Sequence, residues 1–101
     1  MRIFNIQLTK TGSGDLDSIP DDLRRKILQD INILSTNPFL FGSNAKKLRG
    51  FKPPLYRLRS GDYRVLYRVK DEIVTIMRVI DRKDLERIIK RIKNPAHRVG
   101  L

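Results

Sequence analysis

Apolar and polar residues alternate at the start of the chain, with Ile6 and Leu8 on one side, which predicts a strand over residues 2–8. The alternation breaks at Thr11-Gly12-Ser13-Gly14, read as a flexible entry to one or two helical turns around residues 15–19. From Pro20 the period lengthens to that of a helix. Leu23, Ile27, Ile31 and Leu34 share one stripe and Leu28 widens it. Asp21 and Asp22 occupy the first turn, where carboxylates suit the positive helix end, and Asn37-Pro38 stops the helix. A loop over residues 39–45 leads to a short basic strand around residues 46–49.

Residues 55–69, LYRLRSGDYRVLYRV, return to strict alternation about Gly61-Asp62, which fits a two-residue hairpin turn with glycine first. That register pairs Ser60 with Tyr63, Arg59 with Arg64, Leu58 with Val65, Arg57 with Leu66 and Tyr56 with Tyr67. One face then carries Tyr56, Leu58, Tyr63, Val65, Tyr67 and Val69 and is expected to pack on helices. The other carries Arg57, Arg59, Arg64 and Arg68, relieved by Leu55 and Leu66, and is expected to stay open as a shallow basic surface. Arginines directly opposite each other repel unless an anion lies over them. A third strand over residues 73–80 follows, then Asp81 as N-cap of a helix whose stripe is Leu85, Ile88, Ile89 and Ile92, stopped by Asn94-Pro95. The order β-α-α-β-β-β-α implies an α+β domain over residues 1–93, with a tail over 94–101. Its antiparallel meander sheet is expected to carry an N-terminal helical hairpin and a C-terminal helix mainly on one face.

Composition sharpens the reading of the arginine face. Lysine and arginine number 22 against 11 acidic residues, a formal charge of +11, and the pI is near 10.6. That balance favours a nucleic-acid, anionic-membrane or acidic-protein partner. From Lys46 to Lys70 only Asp62 is acidic, so Lys46, Lys47, Arg49 and Lys52 extend the basic surface. With no cysteine and one histidine, neither a thiolate site, a disulfide framework nor a zinc centre is expected, and no cofactor. No secretory h-region or membrane-length apolar run is present, so the expectation is a soluble, cytoplasmic protein without a membrane partner.

The combination of Leu48-Arg49-Gly50, the hairpin from Tyr56 to Tyr67, the alternating strand from Ile73 to Val79 and Asp81-Arg82-Lys83-Asp84-Leu85-Glu86 resembles the RelE/ParE superfamily of toxins from prokaryotic toxin–antitoxin systems. Leu16, Ile19-Pro20, Leu23-Arg24 and Asn37-Pro38 resemble the family's helical hairpin. The resemblance implies a RelE-like fold and one of two activities. RelE-type members cut mRNA in the ribosomal A site; ParE-type members inhibit DNA gyrase by protein binding. A catalytically degenerate relative is a third alternative. In RelE-like nucleases, basic side chains at the positions matching Arg57, Arg64 and Arg82 act on the scissile phosphate. Arg59 joins them by sharing the predicted face, and Lys46, Lys47, Arg49, Lys52 and Arg68 are the remaining candidate RNA contacts. The family's histidine and tyrosine near the C-terminal motif are replaced here by Asp81 and Glu86, which makes Glu86 the carboxylate candidate for proton transfer. The implied partners are a cognate acidic antitoxin, forming a hetero-oligomer with an otherwise monomeric toxin, and mRNA on the ribosome.

Each of these residues also has a plainer reading. An arginine face is ordinarily a solvated surface or a partner interface. Tyr56, Tyr63 and Tyr67 fall on the core face, where packing outranks base stacking. Asp81 reads as a helix cap, and His97 as an exposed tail residue. Asp15, Asp17, Asp21 and Asp22 read as helix-start carboxylates, and Lys90, Arg91 and Lys93 as a cationic helix end or a contact to ribosomal RNA.

Overall fold

The computed structural model describes residues 3–39 and 44–93. The expected strand start at Arg2, part of the loop over 39–45, the Asn94-Pro95 stop and the tail with His97 lie outside the described residues. The elements are β1 (Asn5–Leu8), α1 (Lys10–Asp17), α2 (Asp21–Ile33), β2 (Ala45–Leu48), β3 (Leu55–Ser60), β4 (Tyr63–Lys70) and β5 (Ile73–Asp81). A single 3-10 turn (Arg82–Asp84) then leads into α3 (Leu85–Lys93). The α+β class and the element order are those predicted. Strands β2 to β5 form the antiparallel meander, and β1 adds to the outer edge of β5 in parallel. Parallel pairing needs a crossover connection. The α1–α2 hairpin, lying between β1 and the meander in the chain, provides it.

The hairpin register is the predicted one at all five pairs, from Ser60↔Tyr63 to Tyr56↔Tyr67. Its tyrosine face is buried with the helices: Tyr56, Leu58, Val65 and Tyr67 join Leu16, Ile27, Ile31 and Leu34 in the larger core. The Tyr67 hydroxyl donates to the Pro38 carbonyl at 2.6 Å, and its ring stacks on Tyr56 at 5.4 Å. These rings are core, as the alternation implied.

The helices divide between the faces. The expectation of helices mainly on one face holds for α1 and α2, whereas α3 lies on the opposite, arginine-bearing face. There Ile88 packs with Phe51, Leu55, Leu66 and Ile80, flanked by Leu85, Ile89 and Ile92. The cause is in the sheet: Leu55 and Leu66 interrupt the arginines and, with Ile80, give the α3 stripe an apolar floor. The arginine face is therefore open only in part.

Two local features differ from the sequence reading. The Thr11–Gly14 stretch is helical, not a flexible entry. The Thr9 side chain caps α1 by accepting from the Gly12 N–H at 3.0 Å, while its hydroxyl hydrogen points to the Met77 carbonyl at 3.0 Å. A Cβ on Gly12 would sit 2.8 Å from the Ile76 carbonyl oxygen, so glycine is what lets α1 approach β5 there. In α2, Ile27, Ile31 and Leu34 are buried, but Leu23 and Leu28 are 47% and 44% exposed. Leu23 sits in the first turn, beside the hairpin turn at Ser60–Tyr63, and Leu28 points about 100° away from Ile27 around the helix.

Candidate phosphate-binding site

The tip of the β3–β4 hairpin organises the site. Gly61 takes a left-handed φ of +59° while Asp62 keeps a negative φ, the pattern of a turn that needs glycine at its first central position. The buried Ser60 hydroxyl donates to the Asp30 carboxylate of α2 at 2.6 Å, and Lys26 holds the same carboxylate at 2.9 Å. Helix α2 thus anchors the turn from the core side. On the other face Arg64, only 9% exposed, curls back so that Nη1 donates to the carbonyls of Gly61 and Tyr63, each at 2.9 Å. Arg82 closes the group: its backbone N–H donates to the Asp62 carbonyl at 2.8 Å, and its Nε lies 3.8 Å from the Asp62 carboxylate.

Arg64 is surrounded by cations. Burial lowers its pKa most, and the charges of Arg57, Arg59 and Arg82 lower it further, opposed by Asp62. Burial and then Arg59 likewise lower that of Arg57, whose Nε is buried with no hydrogen-bond partner among the described residues. A guanidinium stays charged through such shifts, so the repulsion is held in the fold rather than relieved by proton loss. Arg57, Arg59 and Arg82 thus all act on Arg64, which two carbonyls hold at the turn. Such an array favours a dianionic or trigonal-bipyramidal phosphate over water, because its charge is already in place when negative charge grows on the phosphate.

The remaining candidates are dispersed. Lys46 stands opposite Arg57 in the β2–β3 ladder, whereas Lys47, opposite Tyr56, falls on the other face of the strand. Arg49 is exposed in the turn after β2. Lys52 and the half-buried Arg68 line a cavity beside α3 together with Arg78 and Arg91. Glu86 is exposed in the first turn of α3, and among the described residues no ion pair reaches it. The carboxylate that acts on Arg64 is instead Asp62. Asp81 is a cap, its Oδ1 accepting from the Lys83 N–H at 3.0 Å.

One pairing was missed in the sequence. Asp15 is not a helix-start carboxylate: it accepts from Arg78 at 2.7 and 3.3 Å and from the Val79 N–H at 2.9 Å, tying α1 to β5. The partners stand 63 positions apart in the chain, so no local signal points to the pairing.

The sequence and the fold both have relatives among known proteins. Residues 6–86 match the family model described as the ParE toxin of type II toxin–antitoxin systems, parDE. The RelE1 toxin candidate of Methanocaldococcus jannaschii is 34% identical over 83 residues, covering 80% of this chain and 91% of that protein. Among solved structures, the RelE–RelB complex of Pyrococcus horikoshii matches with a TM-score of 0.68 and 31% identity, over 79% of this chain and 96% of that one. The RelBE2 toxin–antitoxin complex of Mycobacterium tuberculosis matches with a TM-score of 0.69 and 28% identity, over 78% and 98%. With the arginine-bearing hairpin, the helical hairpin behind it and these matches along most of its length, the chain belongs to the RelE/ParE superfamily of toxins from type II toxin–antitoxin systems.

Proposed function

We propose that the chain is an endoribonuclease that cuts mRNA on the ribosome, with Arg57, Arg64 and Arg82 acting on the scissile phosphate. The observation that carries this reading is Arg64, nearly buried, held by two carbonyls, and ringed by Arg57, Arg59 and Arg82. Cleavage by attack of the 2′-hydroxyl on its own phosphate needs a proton removed, charge stabilised on the phosphorane, and the leaving 5′-oxygen protonated. The guanidiniums supply the stabilisation, often the largest catalytic term. Arginine is a poor base because it holds its proton, so proton removal falls to another group. Asp62, beside Arg82, and Glu86, in the first turn of α3, are the carboxylates this chain offers; the ribosome or the RNA itself is the other source. Lys46 and Arg59 would hold neighbouring backbone phosphates. A site of action on translated message implies a cytoplasmic location.

The RelB and RelBE2 complexes of the relatives support an acidic antitoxin as the neutralising partner, which suits a chain of charge +11. One observation favours the gyrase alternative: the matching family model is described by its ParE member. A translation reaction programmed with a defined message, run beside a gyrase supercoiling assay, separates the two. Nuclease action gives discrete cuts in translated mRNA that vanish with Arg64→Gln and Arg82→Gln. Uncut message together with inhibited supercoiling rejects it.

A further inference from the structure

Helix α2 places a carboxylate where its packing pattern calls for an apolar side chain. Asp30 lies three positions after Ile27 and four before Leu34, on the stripe that the helix turns to the core. A partly buried carboxylate there costs stability unless it is paired. Its partners are Lys26 one turn back, with Nζ at 2.9 and 3.1 Å from the two oxygens, and the buried Ser60 hydroxyl at 2.6 Å. The second distance is that of a strong hydrogen bond to a carboxylate. Ser60 ends β3 and pairs with Tyr63 across the turn. The next three carbonyls in the chain all hold arginines. Gly61 and Tyr63 accept from Nη1 of Arg64, and Asp62 accepts from the backbone N–H of Arg82. Packing supports this turn poorly. Cavities of about 160 and 180 Å³ flank the Asp30–Ser60 bond with Gly61 bordering both, and a Cβ on Gly61 would meet nothing within 4 Å.

We propose that Asp30 and Ser60 are positioning residues for the phosphate-binding site. Their hydrogen bond, made on the helix side of the sheet, fixes the turn whose carbonyls place Arg64 and Arg82 for the other side. Neither side chain touches the phosphate. A cavity beside the turn leaves its atoms without neighbours there, so dispersion contacts do little to hold its orientation. The short bond to Asp30 does that instead, and Lys26 orients the carboxylate by binding both of its oxygens. Without the bond the turn relaxes toward the cavities and carries the three carbonyls with it. A displacement of about 1 Å at a preorganised group can cost about 10²-fold in rate. That these arginines act on an mRNA phosphate rests on the proposed function; the coupling of Asp30 and Ser60 to their placement does not.

Arginine side-chain NMR and single-turnover cleavage of translated mRNA test the pair in the full chain. In Ser60→Ala and Asp30→Ala the Nε–Hε signals of Arg64 and Arg82 are expected to shift. The cleavage rate at saturating protein should fall by about tenfold or more, while the half-saturating concentration stays within about twofold. Asp30→Ala puts a strong helix former at a helix position, so it carries the test should Ser60→Ala fail to fold, and each variant's amide spectrum reports its fold. Ser60→Thr keeps the hydroxyl and has the adjoining cavity for its methyl group, so it should retain the parent's signals and rate. The two alanine substitutions together should cost no more than the larger one alone, since each removes the same bond. Tyr67→Phe, which loses a buried hydrogen bond elsewhere in the core, is the control for stability and should leave the signals and the rate unchanged. Unmoved arginine signals in the folded alanine variants, losses that multiply in the double variant, or a rate loss that Tyr67→Phe matches overturns the proposal. If the parent leaves mRNA uncut, the nuclease reading fails and the arginine signals alone decide the positioning role. Cleavage by the parent with signals and rates unmoved in the variants refutes only the positioning role.

Discussion

Arg64 combines burial, two backbone acceptors and three cationic neighbours, so its position is set before any ligand arrives. Replacing it with glutamine removes the charge, and replacing it with lysine removes the planar fork that reaches Gly61 and Tyr63 while facing a phosphate. Both variants are expected to slow cleavage of translated mRNA by about 10²-fold or more, the usual cost of one preorganised donor. Equal rates for lysine and arginine would show that charge alone matters there. Tyr67 makes a different residue-scale prediction. Burial, reinforced by Tyr56, pushes its phenol above the ordinary tyrosine range. Its folded pKa therefore exceeds its unfolded value near 10, so its contribution is complete below pH ~10 and is lost as pH rises beyond that. Tyr67→Phe leaves the Pro38 carbonyl without this donor, which costs about 1 kcal/mol at neutral pH. It also removes one cause of the alkaline decline. Urea midpoints at neutral and alkaline pH should show a lower but flatter profile than the parent.

At the scale of elements, the joint between α1 and β5 is the least forgiving contact. The β5 ladder slips between Leu66 and Tyr67, leaving Met77 as an extra residue, which lets Ile76 and Val79 both enter the larger core. Gly12 and Thr9 lie against the carbonyls at that bulge. Gly12→Ala would normally favour a helix, yet here it must displace backbone and is expected to destabilise by about 1–3 kcal/mol. Gly14→Ala, with nothing within 4 Å of the added carbon, is the control and should stabilise slightly. Urea unfolding of the two variants reads the difference directly. This joint also marks where the sequence stops being informative. The hairpin was legible because Gly61 and strict alternation are local signals that fix register and face together. Helix α1 was not, since two glycines in eight residues read as a loop and the contact that favours them lies far along the chain. The parallel place of β1 and the bulge are likewise set by distant partners. The far-side seat of α3 is half visible: alternation puts Leu55 and Leu66 on the arginine face, but nothing local marks them as the floor for a helix. The cluster of Arg57, Arg59 and Arg64 followed from register, while Arg82 entered through the family motif and the cavity beside α3 from neither.

Across the whole molecule, a charge of +11 attracts any polyanion, so binding to RNA by itself would say little about the site. Salt dependence distinguishes a diffuse field from specific contacts. Each phosphate neutralised on a single strand adds about −0.7 to the slope of log affinity against log salt. If Arg57, Arg59, Arg64 and Arg82 each engage one phosphate, the slope for a non-cleavable oligonucleotide is about −2.8. Arg59→Gln should then lower the slope by about 0.7 and leave the fold unchanged, because Arg59 is exposed on the strand surface. Arg25→Gln provides the contrast: it removes an equal charge at an exposed position of α2, the helix packed on the opposite side of the sheet, and should leave the slope as it was. A gyrase-binding protein of this fold would meet a protein surface with no condensed counterion layer, so its affinity for gyrase should fall less steeply with salt. If Arg59→Gln and Arg25→Gln change the slope for the oligonucleotide equally, the arginine cluster is only part of a diffuse field. An unequal change makes the cluster a site.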